Sequence, residues 1–176
     1  MSTLKNYLKG FNPKTINITL EENICPSHNT VKYIESCKAN CINIFNNLFD
    51  KNDEIIFGTN SLKYKHHENE FNLIRLNSYV KGSSPLKTLN CATSNSDDED
   101  LSHIENYYLN CKVSDLKYSL LICDLMEKDF GYGKKGLEDY FIINKSKDVI
   151  LYLYDDREVT IAFKNESDLK KFKIKE

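Results

Sequence analysis

Two carboxylates and an arginine stand side by side near the end of this chain, directly after an apolar run. Residues 149–153 (Val-Ile-Leu-Tyr-Leu) favour a β-strand, and the four residues that follow are Tyr154, Asp155, Asp156 and Arg157. Paired carboxylates at a strand end can hold a divalent cation or act as general acid and general base. Because the chain has only two arginines, Arg157 makes this segment the first candidate for chemistry.

The same four residues also fit a structural turn. Successive side chains of a strand point to opposite faces of a sheet, so Asp155 and Asp156 converge only if a turn redirects them. Aspartate side chains often accept hydrogen bonds from the backbone of a turn, and Arg157 is placed to pair with one of them. The sequence therefore predicts a structural turn, with a metal-dependent hydrolase site at Asp155 and Asp156 as the alternative.

A second candidate is the acidic segment, which consists of Asp97, Asp98, Glu99 and Asp100. Residues 88–111 contain no lysine or arginine, and residues 94–100 contain no apolar side chain. This composition is typical of a solvated loop, and a local charge of one sign also steers a partner of opposite charge. We expect the acidic segment to bind a protein partner. Residues 93–101 are also the candidate boundary within a single domain of residues 1–176.

Six cysteines and four histidines form no recognisable metal or catalytic motif. Cys37 and Cys41 lie one helical turn apart, but no histidine follows them at a spacing typical of zinc sites. We interpret all six cysteines as small buried residues, and His66 and His67 as an exposed hairpin tip. Gly131 follows a predicted helix, which indicates a helix cap and not a phosphate cradle. The sequence predicts neither a metal nor a cofactor.

Periodicity predicts the helices that position these residues. Apolar residues at three- and four-residue spacing indicate one helix over residues 30–50, with Thr30 as its N-cap and a stripe that begins at Val31. A second helix is predicted to follow Ser114, with a stripe that includes Leu116 and Leu120.

Alternating or continuous apolar runs predict strands at 16–20, 54–60, 71–76, 104–113, 139–144, 149–154 and 158–163. The strand at 71–76 is expected to return beside 54–60 as a hairpin, and 139–154 form another. Together the pattern indicates an α+β fold, an antiparallel or mixed β-sheet with two main amphipathic helices packed on one face.

Composition narrows the classes of partner. The formal net charge of −2 gives no field that favours nucleic acid or anionic membranes. No run approaches the 18 consecutive apolar residues of a membrane span, and residues 1–11 lack the features of a signal peptide. We therefore expect a cytoplasmic protein with reduced cysteines, and neither nucleic acid nor a membrane as its partner.

Several stretches of the chain resemble an uncharacterised bacterial family, the domain of unknown function numbered three-eight-eight-five. The stretches that carry the resemblance are 48–55, 109–112, 129–130, 140–144 and, most distinctively, Tyr154-Asp155-Asp156-Arg157. Glu158 departs from the family pattern, which usually continues with glycine, and the chain has no tryptophan. The resemblance implies a stand-alone bacterial α+β domain, and it carries over no catalytic residue.

Two classes of function fit these observations. The first is a binding protein, most concretely a small immunity protein that blocks the basic active site of a toxin domain with its acidic segment. The second is an enzyme, the metal-dependent hydrolase named above, and a homodimeric structural adaptor is a third reading. With no recognisable catalytic motif, the sequence favours the binding protein, present as a monomer or a homodimer.

Overall fold

The computed structural model of the protein describes residues 13–64, 73–82, 90–94, 101–131 and 139–173. Within these ranges the strands are β1 (Lys14–Thr19), β2 (Glu54–Tyr64), β3 (Asn90–Ser94), β4 (Leu101–Lys112), β5 (Tyr140–Asn144), β6 (Val149–Leu153) and β7 (Glu158–Phe163). The helices are α1 (Thr30–Leu48), α2 (Leu73–Ser78), α3 (Tyr118–Lys128) and α4 (Glu166–Lys173).

The seven described strands form one antiparallel sheet in the order β1-β7-β6-β5-β2-β4-β3. β5 lies in the middle of this order, between β6 and β2, and all five of its residues are buried. The hairpins β5–β6 and β6–β7 lie in consecutive positions, as their short connections favour. The predicted α+β class is confirmed, and the sheet is antiparallel.

The main core lies between one face of the sheet and the helices. Phe57, Ile142 and Leu151 point to this face from neighbouring strands and are completely buried. The helices contribute buried side chains such as Phe45 and Leu125 to the same core, as the prediction of helices on one face requires. A smaller buried cluster lies on the opposite face, formed by Ile56, Tyr108, Phe141, Ile143, Ile150 and Ala162.

Helix α1 has the predicted position with a different cap. The side chain of Asn29, not of Thr30, accepts the capping hydrogen bond, from the backbone N–H of Lys32 at 3.1 Å. The Thr30 hydroxyl instead donates to the Pro26 carbonyl. The predicted stripe is buried except at its first member, because Val31 is 61% exposed and Tyr33 faces the core in its place.

Helix α3 begins later than predicted, which shifts its buried face. Leu116 is buried, but it lies in extended backbone that bridges to Val80, so it is not a helical residue. Ser114 belongs to a preceding 3₁₀ turn (Val113–Asp115) and does not cap α3. The buried residues of α3 are Leu121, Ile122, Leu125 and Met126, and the predicted Leu120 is 41% exposed.

The prediction of a return strand at residues 71–76 is wrong. Residues 73–78 form α2, and the strands beside β2 are β4 and β5. Leu76, Tyr79 and Val80 all lie in the main core. Their three- and four-residue spacing fits a helix and the turn that follows it, whereas a strand would point neighbouring residues to opposite faces.

Strand β3 was not predicted from the sequence, since its residues Asn-Cys-Ala-Thr-Ser carry little apolar signal. It pairs with β4 along residues 90–94, so the strands on both sides of residues 95–100 lie in one sheet. None of the described helices is long and apolar enough to span a membrane.

Gly58 of β2 provides a test of the packing between β2 and β5. The ring of Phe141 lies directly over Gly58, and a Cβ at this position would also lie 2.7 Å from the Tyr107 carbonyl oxygen. We expect Gly58→Ala to lower the free energy of unfolding by about 1–3 kcal/mol, the usual cost of overpacking.

Urea denaturation measures this difference in the free energy of unfolding. The double variant Gly58→Ala with Phe141→Leu should recover part of the loss, because the smaller side chain relieves one of the two clashes. A single variant as stable as wild type would contradict this view of the strand pair.

Candidate functional site

The segment Tyr154–Arg157 forms the turn between β6 and β7, and Asp155 organises it. Oδ1 of Asp155 accepts the backbone N–H groups of Arg157 at 2.9 Å and of Glu158 at 3.2 Å. Oδ2 accepts the Nε and Nη2 donors of Arg157 at 3.0 and 2.6 Å. Both carboxylate oxygens of Asp155 are thus engaged within its own turn.

Neighbouring elements hold the same turn from outside. The Lys128 ammonium at the end of α3 donates to the Tyr154 carbonyl, and the backbone N–H of Leu20 donates to the Arg157 carbonyl at 2.8 Å. The Tyr154 hydroxyl donates to the Glu158 carboxylate on the first residue of β7. The turn therefore has a fixed position at the junction of α3, β7 and the segment that follows β1.

Asp156 has different partners from Asp155. It is only 6% exposed, and the Tyr33 side chain of α1 lies close to its carboxylate. Burial raises the pKa of Asp156 above its usual value, because the charged form loses hydration. Burial also raises the pKa of Cys37, which neighbours Tyr33, to about 11, so its thiol is not a ready nucleophile at neutral pH. The two carboxylates of the turn therefore have different surroundings.

This arrangement bears on the chemistry of the paired carboxylates. With both oxygens bonded to N–H donors, Asp155 has little capacity left for a metal ion. Within the described ranges, no group of three or more histidine, cysteine, aspartate or glutamate side chains has a geometry that could hold a metal. A metal role for the turn finds no geometric support in this part of the chain.

A groove opens beside the turn, and we call it the Asp156 groove. It has a volume of about 530 Å³, within the range of small-ligand and side-chain pockets. Acidic, apolar and aromatic groups line it together: Thr19, Glu21, Glu22, Asn23, Ile24, Cys25, Pro26, Tyr33, Asp156 and Arg157. Three carboxylates against one guanidinium make its lining acidic.

The segment after β1 forms one wall of the Asp156 groove and is tied to α1. Glu21 accepts the backbone N–H of Asn23 and of Ile24 and the hydroxyl of Ser36. The hydrogen bond from Ser36, with these backbone donors, lowers the pKa of Glu21, which therefore stays ionised. The amide of Asn40 also donates to the Leu20 carbonyl at 2.6 Å. The wall is a fixed part of the fold.

A second groove of about 670 Å³ lies between α1, α4 and the β5–β6 turn. Its floor includes Leu48, Val149 and Phe172, and its rim includes Lys147 and Lys171. Lys147 is paired with Asp50 and Asp53, and Lys171 with Asp168, so these rim cations have partners within the chain. This groove offers apolar surface with balanced charge.

Other predicted site residues have mixed outcomes. The acidic segment (Asp97, Asp98, Glu99 and Asp100) lies outside the described residues, as do His66 and His67. All six cysteines have free thiols, and Cys37 and Cys41 are buried as predicted. Cys25 and Cys91 are exposed, so the prediction that every cysteine is buried is wrong.

Sequence reasoning missed Tyr33 and Glu21, which complete the groove around Asp156. Tyr33 lies just outside the predicted apolar stripe of α1, and Glu21 lies in a short irregular segment. The spacing of Tyr33 and Cys37, one helical turn apart, is the signal that could have placed Tyr33 on the buried face.

The fold and the site define an α+β domain with the acidic Asp156 groove beside a hydrogen-bonded turn. The chain matches the family model described as "Domain of unknown function (DUF3885)" over residues 12–175, and it belongs to this family. It is also similar to "Uncharacterized protein YnaE" from Bacillus subtilis (strain 168), at 29% identity over 127 residues. That match covers 65% of this chain and 59% of the relative, so the chain spans less than two thirds of the relative's length. No solved structure gives a significant match.

Asp155 should contribute more to stability than its partner Arg157. Asp155→Ala removes an acceptor of four hydrogen bonds at a position only 8% exposed, and we expect a loss of roughly 1–3 kcal/mol in the free energy of unfolding. Arg157→Ala should cost less, because its side chain is 75% exposed and the backbone hydrogen bonds of the turn remain. Thermal melts of both variants test the order, and a larger loss for Arg157→Ala would reverse it.

Asp155 and Asp156 should respond to pH in opposite ways. Burial alone would raise the pKa of Asp155, but the hydrogen bonds from Arg157 outweigh it and hold that pKa below its usual value. The stability that Asp155 contributes is complete above the pKa of an unfolded aspartate, about 3.9, and is lost as pH falls through the lower folded pKa. The raised pKa of Asp156 has the reverse effect, since its contribution is present at low pH and is lost as pH rises.

Asp156→Asn should therefore gain stability relative to wild type as pH rises from about 3 to 7, and Asp155→Asn should lose it. Urea denaturation at a series of pH values measures both differences, with each variant as the control for the other. Parallel pH profiles for the two variants would show that the carboxylates share one environment.

Proposed function

We propose that this protein is an immunity protein, a small binding protein that neutralises a toxin domain through a protein–protein interface. The observation that supports the proposal most is the acidic groove beside a turn in which Arg157 is already paired with Asp155. A surface of fixed shape and fixed charge suits recognition of a protein, because little conformational freedom is lost on binding.

The charge of the groove suits a basic partner. Glu21, Glu22 and Asp156 line it, and the single guanidinium present is that of Arg157, which Asp155 neutralises. Toxin domains that act on nucleic acid carry basic active sites, since they must bind phosphates. An acidic surface that covers such a site would both attract the toxin and exclude its substrate.

The acidic segment adds to this proposal from the sequence alone. Asp97, Asp98, Glu99 and Asp100 give a local charge of −4, by far the densest negative charge in the chain. In the proposed function this segment steers the toxin toward the complex, and the Asp156 groove supplies short-range contacts. The proposal places the protein in the cytoplasm, as a monomer or a homodimer, with no cofactor.

The test pairs this protein with the toxic domain encoded beside its gene, in host cells that express both. Wild-type protein should restore growth and form a complex with the purified toxin domain. Changing Asp97, Asp98, Glu99 and Asp100 together to serine should slow association about tenfold or more at low salt, with a smaller difference at high salt, and leave the melting temperature unchanged.

Changing four exposed lysines to serine provides the matched control for loss of surface charge, and Lys51, Lys112, Lys145 and Lys170 are suitable. This control should not slow association. Equal association rates for wild type and the acidic-segment variant at every salt concentration would remove the steering role. Failure of wild type to bind the toxin domain or to restore growth would overturn the proposed function.

A further inference from the structure

We infer that the Asp156 groove receives a lysine or arginine side chain of the partner protein. This inference rests on the proposed function and names the chemistry that the groove recognises. The charged head and the aliphatic stem of such a side chain each have a matching group in the groove. Neither match depends on the acidic segment.

The charges around the groove favour a cation over an anion. The Arg157 guanidinium donates twice to Asp155, and the nearby Lys128 ammonium donates to the Tyr154 carbonyl. Arg157 and Lys128 are thus both partnered within the chain, and the Asp155 carboxylate offsets the charge of Arg157. Asp156 lines the groove, and Glu21 and Glu22 add negative potential at its wall.

Asp156 has acceptor capacity that a cation could use. A carboxylate offers about four lone-pair positions, and the neighbouring guanidinium of Arg157 pairs with Asp155 and not with Asp156. Since Asp156 is only 6% exposed, a cation that reaches it forms a charge-assisted hydrogen bond largely shielded from water. The pairing also offsets the desolvation that Asp156 suffers in the unbound protein.

The walls suit the stem of a long basic side chain. Lysine and arginine carry an aliphatic chain that packs on apolar surface while the charged head reaches a polar group. Ile24 and Pro26 provide apolar wall, and Tyr33 also lines the groove. A small inorganic cation would use none of these walls.

The experiment titrates the isotope-labelled full chain with an acetylated peptide of alternating glycine and lysine, and follows backbone amides by NMR. The control peptide has norleucine in place of lysine, which keeps the stem and removes the charge. We expect saturable shifts at groove residues such as Ile24, Tyr33 and Arg157 with the lysine peptide, and none with the control. Asp156→Asn should weaken binding at least about tenfold, since a charge-assisted hydrogen bond is lost.

Asp168→Asn is the matched control variant, because it removes the same charge from the second groove. It should leave the affinity for the lysine peptide unchanged. The inference is overturned if the groove amides do not shift at millimolar peptide, if norleucine binds as well as lysine, or if Asp156→Asn and Asp168→Asn weaken binding equally.

Failure of this inference differs from failure of the proposed function. If wild type protects cells from the toxin and Asp156→Asn protects them equally well, the immunity role stands and the lysine pocket falls. If the groove binds the lysine peptide but wild type neither binds nor neutralises the toxin domain, the pocket stands and the immunity role falls.

Discussion

The fold depends on one buried amide at the end of its central strand. β5 is buried along its whole length, and it ends at Asn144, which has no exposed surface. A buried amide without hydrogen bonds costs free energy, so the chain around it must supply partners. Asn144 donates to Asp53 at 2.7 Å and accepts from the backbone of Ser146 and Lys147. Lys147 then reaches Asp50, Asp53 and the Leu48 carbonyl, which ties the end of α1 to the start of β2.

The turn at the other end of β6 has the same hydrogen-bond pattern, with a carboxylate in place of the amide. Oδ1 of Asn144 accepts the N–H groups two and three residues further on, and Oδ1 of Asp155 does the same. Strand β6 therefore lies between two turns, the β5–β6 turn and the β6–β7 turn, and a side chain stabilises each of them. Each turn also uses a nearby cation, Lys147 in the first and Arg157 in the second. The positions of both grooves follow from these two turns.

Strong periodicity made part of this structure predictable. The α1 helix, the β5–β6–β7 hairpins and the turn chemistry of Asp155 each follow from local residue patterns. The α2 helix could not be predicted in this way, because residues 71–76 alternate like a strand. The helix is favoured by the burial of Leu76 and Tyr79 in the main core, which is a tertiary contact. The buried face of α3 differs from the predicted one because Leu116 pairs with Val80 in extended backbone. This contact is long-range in sequence and leaves no local signal. β3 has almost no apolar signal and owes its strand structure to pairing with β4.

The candidate site was predictable only as a segment. The sequence placed Asp155 and Asp156 in a turn, but nothing local could show that Tyr33, more than a hundred positions earlier, meets Asp156. The same holds for Glu21. The groove wall that contains it is held by hydrogen bonds from Ser36 and Asn40 of α1. Distant contacts of this kind determine which of two adjacent carboxylates stabilises the fold and which lines a groove.

The contrast between these two carboxylates is the strongest physical argument for a function at this end of the molecule. Asp155 is buried and fully hydrogen-bonded, with a lowered pKa, so its charge stabilises the turn. Asp156 is buried to a similar degree with fewer donors, and its raised pKa shows that the folded protein disfavours its charge. An asparagine of similar shape would avoid that cost. A residue that opposes stability in a groove is expected where binding, and not folding, uses its charge.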